Sequence, residues 1–227
     1  MVYSTNIPNL IDSIIELIRD TATITSITSS GTTRTINTAD TGRLVVGDWV
    51  KISGTNYKIT SITTNSKFTV TSSSAITGTS WTALAPYFFY GTPVMIANTI
   101  DKIKDYQNKY PIIVLFETMP ATVDDDVKSS VERVVSLQLF FLDQANYTDW
   151  SHDEYYSLLL DVLQDYVDSF IDELKNNSSI GKFDSHKETP YSKWTLETGD
   201  GRNVFNAELS GIGIEIDLPV LKNTCSI

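Results

Sequence analysis

Apolar side chains near the start of the chain return every three or four positions. Ile7, Leu10, Ile11, Ile14, Ile15, Leu17 and Ile18 therefore share one stripe of a helix. Asn6 is a capping residue type placed just before that stripe, and Pro8 suits a first helical turn. After Thr21 the period falls to two. From Ala22 to about Ser80 the chain is dominated by Thr and Ser with isolated Ile, a composition that favours the half-buried surface of a strand. Strands are predicted at 22–28, 32–38, 48–53, 56–63 and 67–72, with SSGTT, ADTG, SGTN and TTNSK supplying turn residues between them. Alternation in WVKI, YKITSI and FTVT makes Trp49, Ile52, Tyr57, Ile59, Ile62, Phe68 and Val70 candidates for one core, inside a five-stranded meander or small barrel.

From about Ala85 long apolar and aromatic runs replace the alternation. PIIVLFE, beginning at Pro111, is the continuous apolar run of a strand buried on both faces, and RVVSLQLFFLDQ, Arg133 to Gln144, is a second strand of similar weight. The acidic link PATVDDDVKSSVE allows the two to be neighbours in one sheet. A helical stripe follows through Tyr156, Leu159, Leu160, Leu163, Tyr166, Val167, Phe170, Ile171 and Leu174, opened by a capping-box pair, Ser151 and Glu154. KFDSHKETPYSKWTLE reads as a polar strand pair. In the last strand Ile212, Ile214, Ile216 and Leu218 alternate with Gly213, Glu215 and Asp217, so one of its faces should be wet. The expected fold class is α+β: an antiparallel or mixed sheet with a long helix and an N-terminal helix on one face, plus an inserted all-β module. Residues 1–21 and 94–227 would form the core domain, and 22–93 the Thr/Ser-rich insertion.

Composition narrows the function. The 227 residues are 41% hydrophobic and 20% charged, ordinary values for a folded chain. Seventeen Lys and Arg against 28 Asp and Glu give a net charge of -11, which repels phosphate backbones unless charge is segregated in space. One cysteine, Cys225, excludes an intrachain disulfide. No basic, apolar leader pattern opens the sequence, and no apolar run is long enough to span a bilayer, so an aqueous compartment and no membrane are expected.

Candidate chemistry is sparse. Asp149, His152, Asp153 and Glu154 stand together in DWSHDE and could hold a metal or form an acid/base pair, but carboxylates in a first helical turn are favoured by the helix dipole alone. Asp124, Asp125 and Asp126 lack the spacing and glycine of a calcium loop and read as a solvated acidic link. GDGRN, Gly199 to Asn203, fits a β-turn better than an anion cradle. Without a nucleophile elbow, phosphate loop or metalloprotease motif, no catalytic residue, metal or cofactor is assigned, and the chain is expected not to be an enzyme. Tyr87, Phe88, Phe89 and Tyr90 in PYFFYGTPV suit either an interface or a buried seam. An alternative reading is a carbohydrate- or receptor-binding module carrying Trp49, Tyr57 and Trp81 on a sugar face. Alternation would let Trp49 share a core face with Ile52 only across a bulge.

The order of elements resembles the tail-terminator and tail-completion (neck) proteins of tailed bacteriophages. The resemblance runs through the N-terminal amphipathic helix, YPIIVLFET, VERVVSLQLFFLDQANYTDW, the long helix and ELSGIGIEIDLPV. The inserted GDWVKISGTNYKITSITTNSKFTVTSS is similar to small β-modules that recur in virion structural proteins. The resemblance implies a structural virion protein, assembled in the host cytoplasm, that forms a ring, commonly a hexamer. Such a ring terminates the tail or joins it to the head connector, its neighbours being connector, neck or tail-tube proteins, and DNA passes through its lumen without specific binding. It further implies ring contacts at sheet edges and loops, with Asp124, Asp125 and Asp126 near the lumen or a joint, and the aromatics Tyr87, Phe88, Phe89, Tyr90, Trp49 and Trp81 as interface candidates. The insertion departs from the compact pattern of that family.

Overall fold

The computed structural model describes residues 6–102, 110–116, 121–123, 131–145, 150–194 and 208–221. The chain divides into two compact units. One comprises residues 1–18, 88–103 and 111–227, and the other residues 19–87 with 104–110. The fold is α+β, with an all-β module inside it.

In the first unit, helix α1 (Ile7–Leu17) starts where Asn6 accepts a hydrogen bond from the Asn9 amide at 3.2 Å. It buries Ile7, Ile11, Ile14 and Ile15, with Ile18 just past its end. Leu17 leaves the predicted stripe and is 65% exposed, because it lies well round the helix from Ile11, Ile14 and Ile15. The long helix is continuous through α3 (His152–Tyr155), a π-helical segment (Tyr156–Leu160) and α4 (Asp161–Asn176). Its Ser151–Glu154 capping box is formed in both directions.

Numbering strands along the whole chain, β1 to β6 belong to the second unit. The sheet of the first unit is built from β7 (Tyr87–Gly91), β8 (Ile112–Phe116), β9 (Ala121–Val123), β10 (Val131–Gln144), β11 (Lys187–Trp194) and β12 (Leu209–Leu221). Its order is β11-β12-β10-β8-β7. β10 and β12 pair antiparallel over their whole length, and β8 and β9 lie end to end along the other edge of β10. Leu137, Leu139 and Phe141 of β10, Ile212, Ile214, Ile216 and Leu218 of β12, and Ile113 and Leu115 of β8 share one core with α1 and α4. Period-two alternation thus puts one sheet face under the helices. A further helix, α2 (Pro93–Lys102), is not evident in the sequence pattern; it buries Ile96, Ala97 and Ile100.

The opposite sheet face is divided along its length. At one end Phe116, Phe140, Tyr191 and Trp194 form a chain of ring contacts with centroids 5.3 to 6.2 Å apart. Gly213 lies beneath them, where a Cβ would come within 2.8 Å of the Tyr191 ring. Gly213 is therefore buried, against the expectation of a wholly wet face, and only Glu215 and Asp217 of that set are exposed. Among the described residues the predicted polar strand pair is a single strand, β11; residues 181–186 before it have no regular structure. Pro190 and an irregular register after Tyr191 mark β11 as an edge strand.

The second unit is a closed barrel of six strands, not five: β1 (Thr21–Ser30), β2 (Thr33–Thr38), β3 (Trp49–Ile52), β4 (Thr55–Thr63), β5 (Lys67–Thr71) and β6 (Ser80–Ala83), in the order β1-β2-β5-β4-β3-β6. β6 pairs with both β1 and β3 and closes the wall. Ile24, Ile36, Val50, Ile52, Ile59, Phe68, Val70 and Trp81 fill the interior, and Tyr57 and Ile62 pack against them partly buried. A bulge between Ile59 and Ser61 returns Ile62 to the inside after an odd step.

Candidate functional site

The predicted site residues fall in separate places. Asp124, Asp125 and Asp126 lie outside the described residues, as do Asp149 and the GDGRN turn. His152 is exposed in the first turn of α3 with its ring 4.7 Å from that of Tyr156. In the same turn Glu154 accepts hydrogen bonds from the Ser151 amide and hydroxyl, both at 2.8 Å, and these hold its carboxyl below the usual value. That arrangement is helix capping. Among the described residues, no group of three or more His, Cys, Asp or Glu side chains is placed to hold a metal ion.

The two tryptophans of the barrel part company. Trp81 is 1% exposed, sits edge-on to Phe68 with centroids 5.8 Å apart, and donates its indole N–H to the Thr38 hydroxyl at 3.3 Å. It is a core side chain, so it cannot stand on a sugar face or at a surface contact. Trp49 occupies the outer wall, because β3 pairs with β4 without a bulge and turns Val50 and Ile52 inward. The core position considered for Trp49 is thus filled by Val50, which that core list omits. Tyr57, the third aromatic of the sugar-face reading, points inward.

Of the PYFFY aromatics, Tyr87, Phe88 and Phe89 are half-buried and Tyr90 is 57% exposed. Phe88 packs against the core of the first unit, and its ring stacks on Tyr90 with centroids 6.0 Å apart. The chain turns at Gly91 (φ +136) into α2, whose first turn presents Val94 and Met95, 55% and 61% exposed. Three large apolar side chains within six residues therefore face solvent. Sequence reasoning missed Val94 and Met95, although their place beside YFFYGTP was a usable signal.

The polar end of the outer sheet face forms an open groove of about 870 Å³, walled by β10, β12 and the segment from Lys182 to Lys187. Ser136 donates to Asp217 across the strands at 2.5 Å, Lys187 reaches Glu215 at 3.5 Å, and His186 meets Glu188 at 2.6 Å. These groups are paired with one another, His186 half-buried and the others exposed. The arrangement is a polar surface able to contact a partner.

On the barrel, Asp48 closes the turn of the GDWVKI stretch. Its carboxylate accepts from the Val45 amide at 2.8 Å while the Asp48 amide donates to the Val45 carbonyl at 3.2 Å. Burial pushes its carboxyl up from 3.8 to about 6; the Val45 hydrogen bond opposes the rise and the charge of Asp20 adds to it. Asp20 is itself paired with Arg43 at 2.8 Å. These groups hold loops in place. In comparisons with known proteins, no family, curated protein or solved structure matches the chain.

Proposed function

We propose that this chain is a structural subunit of the neck or tail of a tailed bacteriophage, working by self-association into a ring that meets neighbouring connector or tail proteins. The observation that carries the reading is the solvent-facing apolar stretch Tyr90, Val94 and Met95 at the β7–α2 turn of the first unit. Contiguous apolar exposure of this kind marks surfaces that bury themselves against another protein. The order of helices and long antiparallel strands in that unit supports the same reading. A ring works by geometry: two unlike faces on each subunit meet in a contact that closes on rotation.

The test is the mass of the purified full chain by light scattering over a wide concentration range, for the wild type and for Val94→Asp/Met95→Asp. A discrete oligomer that the double variant weakens is the expected result. A wild-type chain that stays monomeric at the highest concentrations, and is not found as a ring in particles, overturns the reading.

A further inference from the structure

Charge is divided between the two parts of the chain. Residues 19–87 carry six basic side chains against three acidic ones, a net of +3, and the rest carries eleven against 25, a net of -14. The division is sharper on the barrel wall, since none of the strands β1 to β6 contains Asp or Glu. Lys51, Lys58 and Lys67 lie on its outer surface, because their chain neighbours Val50, Ile52, Ile59 and Phe68 point inward. Register sets the three diagonally across β3, β4 and β5, centred on β4: Lys51 opposite Asn56, Lys58 opposite Trp49 and Lys67 opposite Thr63. At about 3.3 Å per residue the line from Asn56 to Thr63 runs roughly 23 Å.

The first unit carries a counterpart. Asp161, Asp165, Asp168 and Asp172 recur on α4 at steps of four, three and four residues, and all are exposed. They line the face away from Leu163, Tyr166, Val167 and Phe170 over roughly 17 Å of helix, at about 1.5 Å per residue. Among the described residues none of the four joins an ion pair; the one side-chain partner is the Gln164 amide, which donates to Asp168 at 3.0 Å. Like charges at this spacing destabilise a helix on its own. A facing row of cations would relieve that repulsion.

Resting on the ring reading above, we infer that the lysine line centred on β4 of one copy docks on the aspartate line of α4 in a second copy. The two surfaces differ, so the contact is heterologous: each copy offers its barrel to one neighbour and its helix to the other. The two rows extend over roughly 23 and 17 Å and are opposite in sign. Trp49, on the outer wall opposite Lys58, adds apolar area beside the cations. Opposed charges of this kind set register and partner choice between copies, and salt weakens them.

The test uses two full-length variants. One reverses the barrel line (Lys51→Glu, Lys58→Glu, Lys67→Glu), and the other reverses the helix line (Asp161→Lys, Asp165→Lys, Asp172→Lys). Circular dichroism and thermal unfolding check that each is folded. Either variant alone carries one sign on both surfaces, and its self-association, by light scattering, should fall about tenfold or more. An equimolar mixture puts opposite signs together at every contact and should restore assembly, which high salt then weakens. A wild type that assembles while both variants assemble equally well overturns the inference and leaves the ring reading standing, as does a mixture that fails to recover. A wild type that never assembles overturns the ring reading itself.

Discussion

Replacing Asp48 by Asn tests the electrostatics of the barrel loops. In the folded chain burial raises this carboxyl from 3.8 to about 6. The sign follows from linkage: between those two values the folded state binds a proton that the unfolded state has released, so stability falls as pH rises through that window. The charged form thus costs the fold about 3 kcal/mol at pH 7, and the cost falls toward zero as pH drops through the window. Asn keeps an oxygen that can accept from the Val45 amide, the bond the carboxylate makes at 2.8 Å, and carries no charge. Asp48→Asn should therefore stabilise the barrel by about 2 to 3 kcal/mol at neutral pH, with the gain shrinking steadily on acidification. Denaturant unfolding of wild type and variant at several pH values between 4 and 8, followed by hydrogen exchange in β3 and β4, gives the difference curve. A difference that stays flat with pH, or a variant less stable at pH 7 than at pH 4 relative to wild type, would refute the assignment of a buried, raised carboxyl.

Three further outcomes follow from packing and capping. Trp81→Ala should cost about 3 to 5 kcal/mol and be read as loss of exchange protection across the barrel strands, whereas Trp49→Ala on the outer wall should cost less than about 1 kcal/mol. Gly213→Val should destabilise the first unit by about 1 to 3 kcal/mol, because the new side chain meets the Tyr191 and Phe140 rings; a melting temperature unchanged from wild type would contradict the aromatic cover over Gly213. Ser151→Ala removes the cap of the long helix and should cost about 1 kcal/mol, seen as faster amide exchange from His152 to Tyr156 with α4 unaffected.

Much of this fold is legible because its signals are local. The α1 stripe, the Ser151–Glu154 box and the apolar runs of β8 and β10 each depend on residues a few positions apart. The missed elements depend on distant partners. β6 is four residues, SWTA, too short to show a period, and it exists by pairing with β1 and β3 more than twenty positions away. β2 neighbours β5, not β3, so of the meander and the small barrel that alternation allows, the barrel is the one formed, closed through non-local pairs. The side taken by Trp49 hinged on one residue of register, and a slip of one turns a whole strand over. Nor could alternation foresee that Gly213 would be roofed by rings from β10 and β11. For the surface, the aspartate spacing on α4 was present in the sequence, but its meaning needed the barrel lysines to be placed on an outer wall.

The barrel begins and ends at the same place. Thr21 pairs with Thr82, and the Ala83 amide donates to the Asp20 carbonyl at 2.7 Å, so the chain enters and leaves through adjacent strands roughly 5 Å apart. The two ends of the 21–83 segment are thus held one strand spacing apart. Entry and exit this close mean that a short glycine bridge can span the ends left when residues 21–83 are removed.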